Sequence, residues 1–209
     1  MTQRVFAAIL AMGLGACAST QSVETGTVSD PYEGFNRQMF AFNSEVDKYA
    51  LGPAAGAYET VTPEFARDRV GDFLHNLKSP VIFINDVLQG EGDRAGDTLG
   101  RFLINSTIGV AGLWDVAGYN GIEKHSEDFG QTLAVWGVES GPYLVLPLMG
   151  PTTPRDLFGG GIDRALDPLN WTEFADNPDL DDHIAIGRSV LGGLNARVAL
   201  DDQILLHVA

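Results

Sequence analysis

At 209 residues, 44% of them hydrophobic, the chain has the length and composition of one domain with a substantial buried interior. Its formal charge of −15 repels phosphate backbones, which argues against nucleic acid as a partner, and it repels anionic lipid headgroups too. A single cysteine excludes disulfides within the chain.

The N-terminus reads as an export signal. A short basic start (Met1 to Arg4), an apolar run (Val5 to Leu14) and a small-residue exit (Gly15-Ala16) precede Cys17. The run is shorter than the roughly 20 apolar residues of a spanning helix. Leu14-Gly15-Ala16-Cys17 resembles a bacterial lipobox, in which the signal is cut before the cysteine and the cysteine is acylated. In such lipoproteins Ala18, in place of Asp, implies release to the outer membrane. The other reading is a plain secretory signal with an incidental cysteine. Cleavage removes one base, Arg4, and no acid, which takes the charge from −15 to −16. Several acyl chains give anchoring that one chain does not. The small, polar, aperiodic stretch Ala18 to Ser29 reads as a tether. The expected organisation is a leader at 1–16, an acylated Cys17 with its tether at 17–29, and one folded domain at 30–209.

The folded part carries repeated helix-start signals. Asp30-Pro31, Thr62-Pro63, Ser79-Pro80 and Thr153-Pro154 each place a capping side chain before a proline, which is tolerated at the first helical position. Glu33 and Asp156 add a third-position acid to two of them. Apolar stripes at helical spacing follow. One runs from Tyr32 through Phe35, Met39, Phe42 and Val46 to Tyr49, and others cover 66–77 and 81–88, the last closed by Gly90. Ala95, Leu99, Phe102 and Leu103 form a helix started at Asp93, and Phe129, Leu133 and Trp136 form another, capped by Ser126 and stopped by Gly137. Ile184 to Val198 forms a long late helix. Period-two alternation is scarce, so the expected class is all-α with little or no sheet. Gly96 and Gly100, four apart, are a weak signal for close helix packing.

Two stretches fit a water-soluble bundle poorly. Ile104 to Ile122 is apolar and glycine-rich, with Asp115 as its one acid before the end and no base. Tyr143 to Met149 is an unbroken apolar run around Pro147, bracketed by Gly141-Pro142 and Gly150-Pro151. Proline breaks a helix and removes a hydrogen bond from a central strand. The segment is either a buried extended crossing or a proline-bent hairpin in or beside lipid. Asn105, Ser106 and Thr107 either line a polar channel or cap the helix end before Gly109.

Several ordered motifs together resemble the MlaA/VacJ lipoprotein family. They are Asp30-Pro31-Tyr32-Glu33-Gly34-Phe35-Asn36-Arg37 with Met39-Phe40-Ala41-Phe42-Asn43; Leu88-Gln89-Gly90 with Gly100 to Thr107; Asp115-Val116-Ala117; Glu127 to Leu133; and Ser140-Gly141-Pro142-Tyr143-Leu144-Val145-Leu146-Pro147-Leu148 with Gly150-Pro151 and Arg155-Asp156. The resemblance departs near the C-terminus. The Asp-Pro-Tyr motif and the Arg-rich closing helix usual in the family are not matched after Leu206, so a shortened member is expected.

The resemblance implies a ring of amphipathic helices, with a proline-bent apolar hairpin, set in the outer leaflet of the bacterial outer membrane. It implies a polar channel that extracts misplaced phospholipids and passes them to a soluble periplasmic lipid carrier. It also implies association with a trimeric outer-membrane porin, no cofactor and no catalysis. The implied channel or lipid contacts are Asn105, Ser106, Thr107, Tyr143, Leu144, Val145, Leu146, Pro147 and Leu148, with Cys17 as the lipidation site.

Other classes compete. A lipid hydrolase could draw on His125, Ser126 and Asp128, but sequence neighbours seldom meet in triad geometry, and no Gly-x-Ser-x-Gly elbow is present. His75, His125, His183 and His207 lack paired metal-ligand spacing. No Gly-x-x-x-x-Gly-Lys loop is present for nucleotide hydrolysis. A lipoprotein that only braces a porin shares the anchor, acidity and helices, and differs in having no polar passage.

Overall fold

The computed structural model describes residues 30–170 and 178–208; the leader, Cys17 and the tether lie outside the described residues. Helix α1 (Glu33–Val46) runs through a π-helical turn (Asp47–Leu51) into α2 (Gly52–Val61). The π turn has a local cause. Pro53 has no N–H, and its ring crowds the carbonyl four residues earlier, so the ladder shifts and the Gly52 amide bonds the Asp47 carbonyl, five residues back. Helix α3 (Glu64–Gln89) is followed by α4 (Gly92–Thr107), the short α5 (Val116–Tyr119) and α6 (Phe129–Val135). A two-stranded antiparallel hairpin, β1 (Leu144–Leu146) and β2 (Gly150–Thr152), pairs Val145 with Pro151. Helix α7 (Pro154–Leu166), a 3-10 turn (Pro168–Asn170) and α8 (Pro178–Val208) complete the described chain.

The expected all-α class holds, and the hairpin is its one departure among the described residues. Several boundaries differ from expectation. Ser79-Pro80 does not start a helix, because α3 continues through Pro80 from Glu64 to Gln89. An interior proline costs about 3 kcal/mol. Polar bonds on both sides offset that cost: Asn76 to Ser106 before it, and Asn85 to Asp163 after it. Asp128 rather than Ser126 caps α6, accepting from the Gln131 amide at 2.8 Å. Helix α4 begins at Gly92, with Asp93 in its first turn. The cap at Thr153 is as expected, with its hydroxyl accepting from the Asp156 amide at 3.2 Å. Gly90 and Gly137 end their helices at positive φ, where a side chain is disfavoured.

Packed neighbours form a closed circuit. Helix α1 continues into α2, α2 lies on α8, α8 on α3, α3 on α6 and α6 on α7. Helix α7 follows directly from β2, and the hairpin returns to α1. Helix α4 packs along α3.

Between α4 and α5 the chain turns through three consecutive left-handed residues, Val110, Ala111 and Gly112. Left-handed backbone costs roughly 1–2 kcal/mol for each non-glycine residue. Amide bonds hold it: Gly112 N–H to the Asn105 carbonyl at 2.8 Å and Trp114 N–H to the Gly109 carbonyl at 3.0 Å. Gly109 has no room for a side chain, since a Cβ there would lie 2.3 Å from the Trp114 carbonyl oxygen. Gly96 and Gly100 have nothing within 4 Å of such a Cβ, so no close helix approach depends on them.

These two environments predict opposite responses to the same change. Gly109→Ala lowers thermal stability, because backbone oxygen must move. Gly96→Ala, in an exposed helix interior, raises it by about 0.5–1 kcal/mol. Thermal melts of the two variants in mild detergent check the signs.

Candidate functional site

The distribution of polarity is the first feature of the site. The fully buried larger side chains are Asn85, Thr132 and Asp86, and Asn36, Asn76, Thr98, Arg101 and Asn105 are also buried. Among the described residues the buried apolar ones are few and mostly small, including Ala55, Val81, Ile82 and Ala117. Large apolar side chains face outward from every long helix. Examples are Phe40 on α1, Phe65 on α3, Leu103 on α4, Phe158 on α7 and Ile186 on α8. On α4 the inner stripe is Ala95, Thr98, Arg101 and Asn105, at spacings of three and four, with Leu99 and Leu103 on the outer face. The apolar stripes of the sequence thus lie largely outside. Tyr32, Phe35, Phe42 and Tyr49 of the first stripe are all exposed.

Most of the buried polar groups are bonded to one another, with Asn76 Oδ1 and the Nε atoms of Arg69, Arg94 and Arg101 as exceptions. Asp86 accepts from the Thr98 hydroxyl at 2.7 Å and lies 3.0 Å from His125 Nε2. Asn85 donates to Asp163 and accepts from Thr132, which in turn accepts from Gln89. Gln89 also donates to Glu127, which pairs with Arg94 at 2.8 Å. Arg101, 4% exposed, forms a two-pronged bond to Asp115 at 2.7 and 2.8 Å and also donates to the Ile122 carbonyl. Burial works to raise the Asp115 pKa, but Arg101, Asn105 and the Gly118 amide together hold it below the ordinary value. Burial raises the Asp163 pKa against the Phe129 amide and Asn85.

The mid-chain polar residues take three different positions. Asn105 donates to Asp115 and accepts from the Ala117 amide, both at 2.9 Å, which ties α4 to α5. The Ser106 hydroxyl accepts from Asn76 at 2.9 Å. Thr107 is exposed and bonds back to the Leu103 carbonyl.

The apolar run 143–149 forms the hairpin, clamped by two asparagines of α1. Asn36 donates to the Tyr143 carbonyl at 3.0 Å and accepts from the Val145 amide at 2.8 Å. Asn43 donates to the Leu146 carbonyl at 2.9 Å and accepts from the Leu148 amide at 2.8 Å. A carboxamide offers the donor and acceptor of a peptide group. Seven helical residues advance about 10.5 Å, close to the span of three strand residues, so the two clamps meet successive strand positions. Val145 is buried and Leu144 and Leu146 are half-buried. Tyr143 is exposed, and the tip carries Pro147, Leu148 (68% exposed) and Met149 (69% exposed) outward. The clamp pair Asn36 and Asn43 went unassigned in the sequence, although their spacing of two helical turns was its signal.

A cleft between α3 and α8 grades from apolar to charged. Its apolar part, about 490 Å³, is lined by Phe73, Leu74, Leu77, Ile184 and Leu191, with Arg188 among its residues. A mixed part of about 530 Å³ shares Leu74, Leu77 and Arg188 with it and adds His75, Lys78 and Ser126 opposite Gly192 and Gly193. A charged part of about 320 Å³ shares Gly71, Asn195 and Ala199 with the mixed part. Burial above all lowers the His75 pKa, with Lys124, Arg101 and His125 acting in the same direction and Asp115 against them, to about 4. His75 is therefore neutral near pH 7.

The residues of the rival chemistries are employed separately. His125 bonds Asp86 and Thr98, Asp128 caps α6, and Ser126 lines the cleft, with no hydrogen bond joining the three. No cluster of three potential metal ligands occurs among the described residues. No described helix is long and apolar enough to cross a membrane.

A mostly helical chain with a polar interior, large apolar side chains on its exterior and a graded cleft defines a class of protein whose polarity is inverted relative to a water-soluble bundle. The profile of the MlaA lipoprotein family matches residues 28–207, and the chain belongs to that family. It is 35% identical over 201 residues to the Escherichia coli K12 protein named intermembrane phospholipid transport system lipoprotein MlaA, covering 93% of this chain and 76% of that one. A Rickettsia felis protein is 46% identical over 145 residues, 69% of this chain and 58% of that protein. The matches span 56–61% of the length of the Rickettsia relatives. A solved chain from work on the structural basis for maintenance of bacterial outer membrane lipid asymmetry aligns with a TM-score of 0.73 at 35% identity, over 87% of this chain and 90% of that one.

Two outcomes are expected from the site geometry. Asn43→Leu leaves a hairpin amide and carbonyl without their partners and destabilises the hairpin by about 2–3 kcal/mol. Faster proteolytic cleavage within 140–152, at unchanged overall helicity, is the readout. The second concerns acid. An unfolded histidine takes up its proton near pH 6.5, whereas folded His75 takes it up near 4. Between those values the unfolded chain binds more protons, so stability falls as pH falls. His75→Asn therefore shows a smaller drop in melting temperature from pH 7 to pH 5 than the parent. Equal drops contradict the assignment.

Proposed function

We propose that this protein is an outer-membrane lipoprotein, anchored through acylated Cys17 and partly embedded. In this reading it takes phospholipid from the outer leaflet and hands it to a soluble periplasmic carrier, so maintaining lipid asymmetry. The observation that carries this is the inverted polarity: a buried network around Asp86 and Arg101 inside a surface of exposed aromatic and aliphatic side chains. In water such a surface is costly; in a leaflet it is the preferred one, because no hydrophobic force draws it inward. The names of the Escherichia coli and Shigella flexneri relatives support the same reading.

The parts divide the work. Exposed residues such as Phe40, Leu103 and Phe158 contact acyl chains, and the hairpin tip with Pro147 and Leu148 reaches the lipid surface beside Tyr143. Leu144, Val145 and Leu146 fix that tip against α1, while Asn105 and Ser106 hold the loop after α4 and Thr107 faces outward with Leu103. The cleft between α3 and α8 is the passage, with tails against Phe73 and Leu191 and the headgroup passing Lys78, Ser126 and Arg188 toward the charged end. A trimeric porin is the partner that would hold the protein in place.

Blocking the cleft tests this. A Cβ at Gly193 meets nothing within 4 Å, so Gly193→Phe projects into the mixed part without a clash at its root. The expected outcome is loss of fluorescent phospholipid transfer from vesicles to the soluble carrier, down to the protein-free rate. Gly161→Phe, also unobstructed at its root but away from the cleft, leaves transfer intact. Transfer unaffected by Gly193→Phe, with porin association as the only measurable property, points instead to a bracing lipoprotein without a passage.

A further inference from the structure

The charged end of the α3–α8 cleft has a composition unlike the rest of the molecule. Its lining holds three bases, Arg67, Arg69 and Lys124, and three acids, Glu64, Asp68 and Asp72, on a chain of formal charge −15. We propose that this compartment selects zwitterionic, amine-bearing phospholipid headgroups of the phosphoethanolamine kind over anionic headgroups. The proposal rests on the reading of the cleft as a lipid passage and adds which lipids it accepts.

The groups are arranged in two sets. Asp72 joins two of the bases, with Arg69 at 2.8 Å and Lys124 at 3.3 Å. The Arg69 side chain is 16% exposed, and its buried Nε has no hydrogen-bond partner. Arg69 lines the cavity, and a planar guanidinium suits phosphate oxygens. Lys124, half-exposed, supplies a second cation. Arg67 is already engaged, donating to the Thr62 carbonyl and lying 3.8 Å from Glu59. Across the first turns of α3, Glu64 and Asp68 are exposed and have no ion-pair partner among the described residues. They are one helical turn apart on one face and offer carboxylates to an ammonium group.

A zwitterion satisfies both sets at once, its phosphate against Arg69 and Lys124 and its amine against Glu64 and Asp68. An anionic headgroup meets the first set and is repelled by the second. The volume, about 320 Å³, suits a headgroup without its tails, which extend through the mixed part toward the apolar part.

The test uses the full-length protein. It is equilibrated with vesicles of equimolar phosphatidylethanolamine and phosphatidylglycerol, re-isolated in mild detergent, and its bound lipid is quantified by mass spectrometry. Phosphatidylethanolamine is expected to be enriched about threefold, the scale that an exposed ion pair supports. In the Glu64→Gln/Asp68→Asn double variant, whose altered side chains are exposed, total bound lipid is retained and the enrichment disappears. Bound lipid matching the vesicle composition, or enriched in phosphatidylglycerol, overturns the headgroup selection and leaves the lipid passage standing. Enrichment that persists in the double variant overturns the assignment to this compartment. Absence of bound lipid overturns both the selection and the passage.

Discussion

A charged group without a partner inside a protein is far more expensive than a poorly packed methyl group, and this fold is organised around that asymmetry. Asp86 is fully buried, so Thr98 and Arg94 of α4 and His125 of the loop before α6 must converge on it. Arg101 is buried, so Asp115 must meet it, and Asn105 and the Gly118 amide must complete the carboxylate's bonds. Each requirement ties elements distant in sequence. Removing one partner leaves the other stranded, which makes the network cooperative.

The apolar residues then have a different task from the usual one. The small buried set, such as Ala55, Ala95 and Val198, lets helices approach. The large ones go outside, as Phe40, Leu103 and Phe158 do. Buried hydrogen bonds and the close packing of small residues then tie the helices together. Some of the chain's acid is paired inside or gathered at the charged end of the cleft, as with Asp86, Asp115 and Asp72.

The hairpin illustrates how side chains replace secondary structure. A two-stranded ribbon is marginal by itself. Here β1 gains amide partners from Asn36 and Asn43, so α1 does the work of a third strand. This frees the tip, Pro147 to Met149, to project without loss of register. Of the two shapes read for that segment, the hairpin is the one found: it bends at the proline, its residue Val145 is buried, and its end is open.

Local chemistry alone settled much of this protein. Helix class, the caps at Thr153 and Gly90, the stop at Gly137 and the family resemblance all lie in short windows, because propensity and capping act over a few residues. Which face of each helix turns inward was not decided there. A stripe such as Phe35, Phe42 and Tyr49 has the same period whether it meets a core or a lipid. Only the placement of Asn36 against the hairpin and of Arg101 against Asp115 fixes the choice. Pro80 makes the same point from the other side: its local signal starts a helix, and bonds from Asn76 and Asn85 to residues 30 and 78 positions away carry the helix through it. Long-range polar pairing decided both, because its energy is counted only when the whole chain has closed on itself.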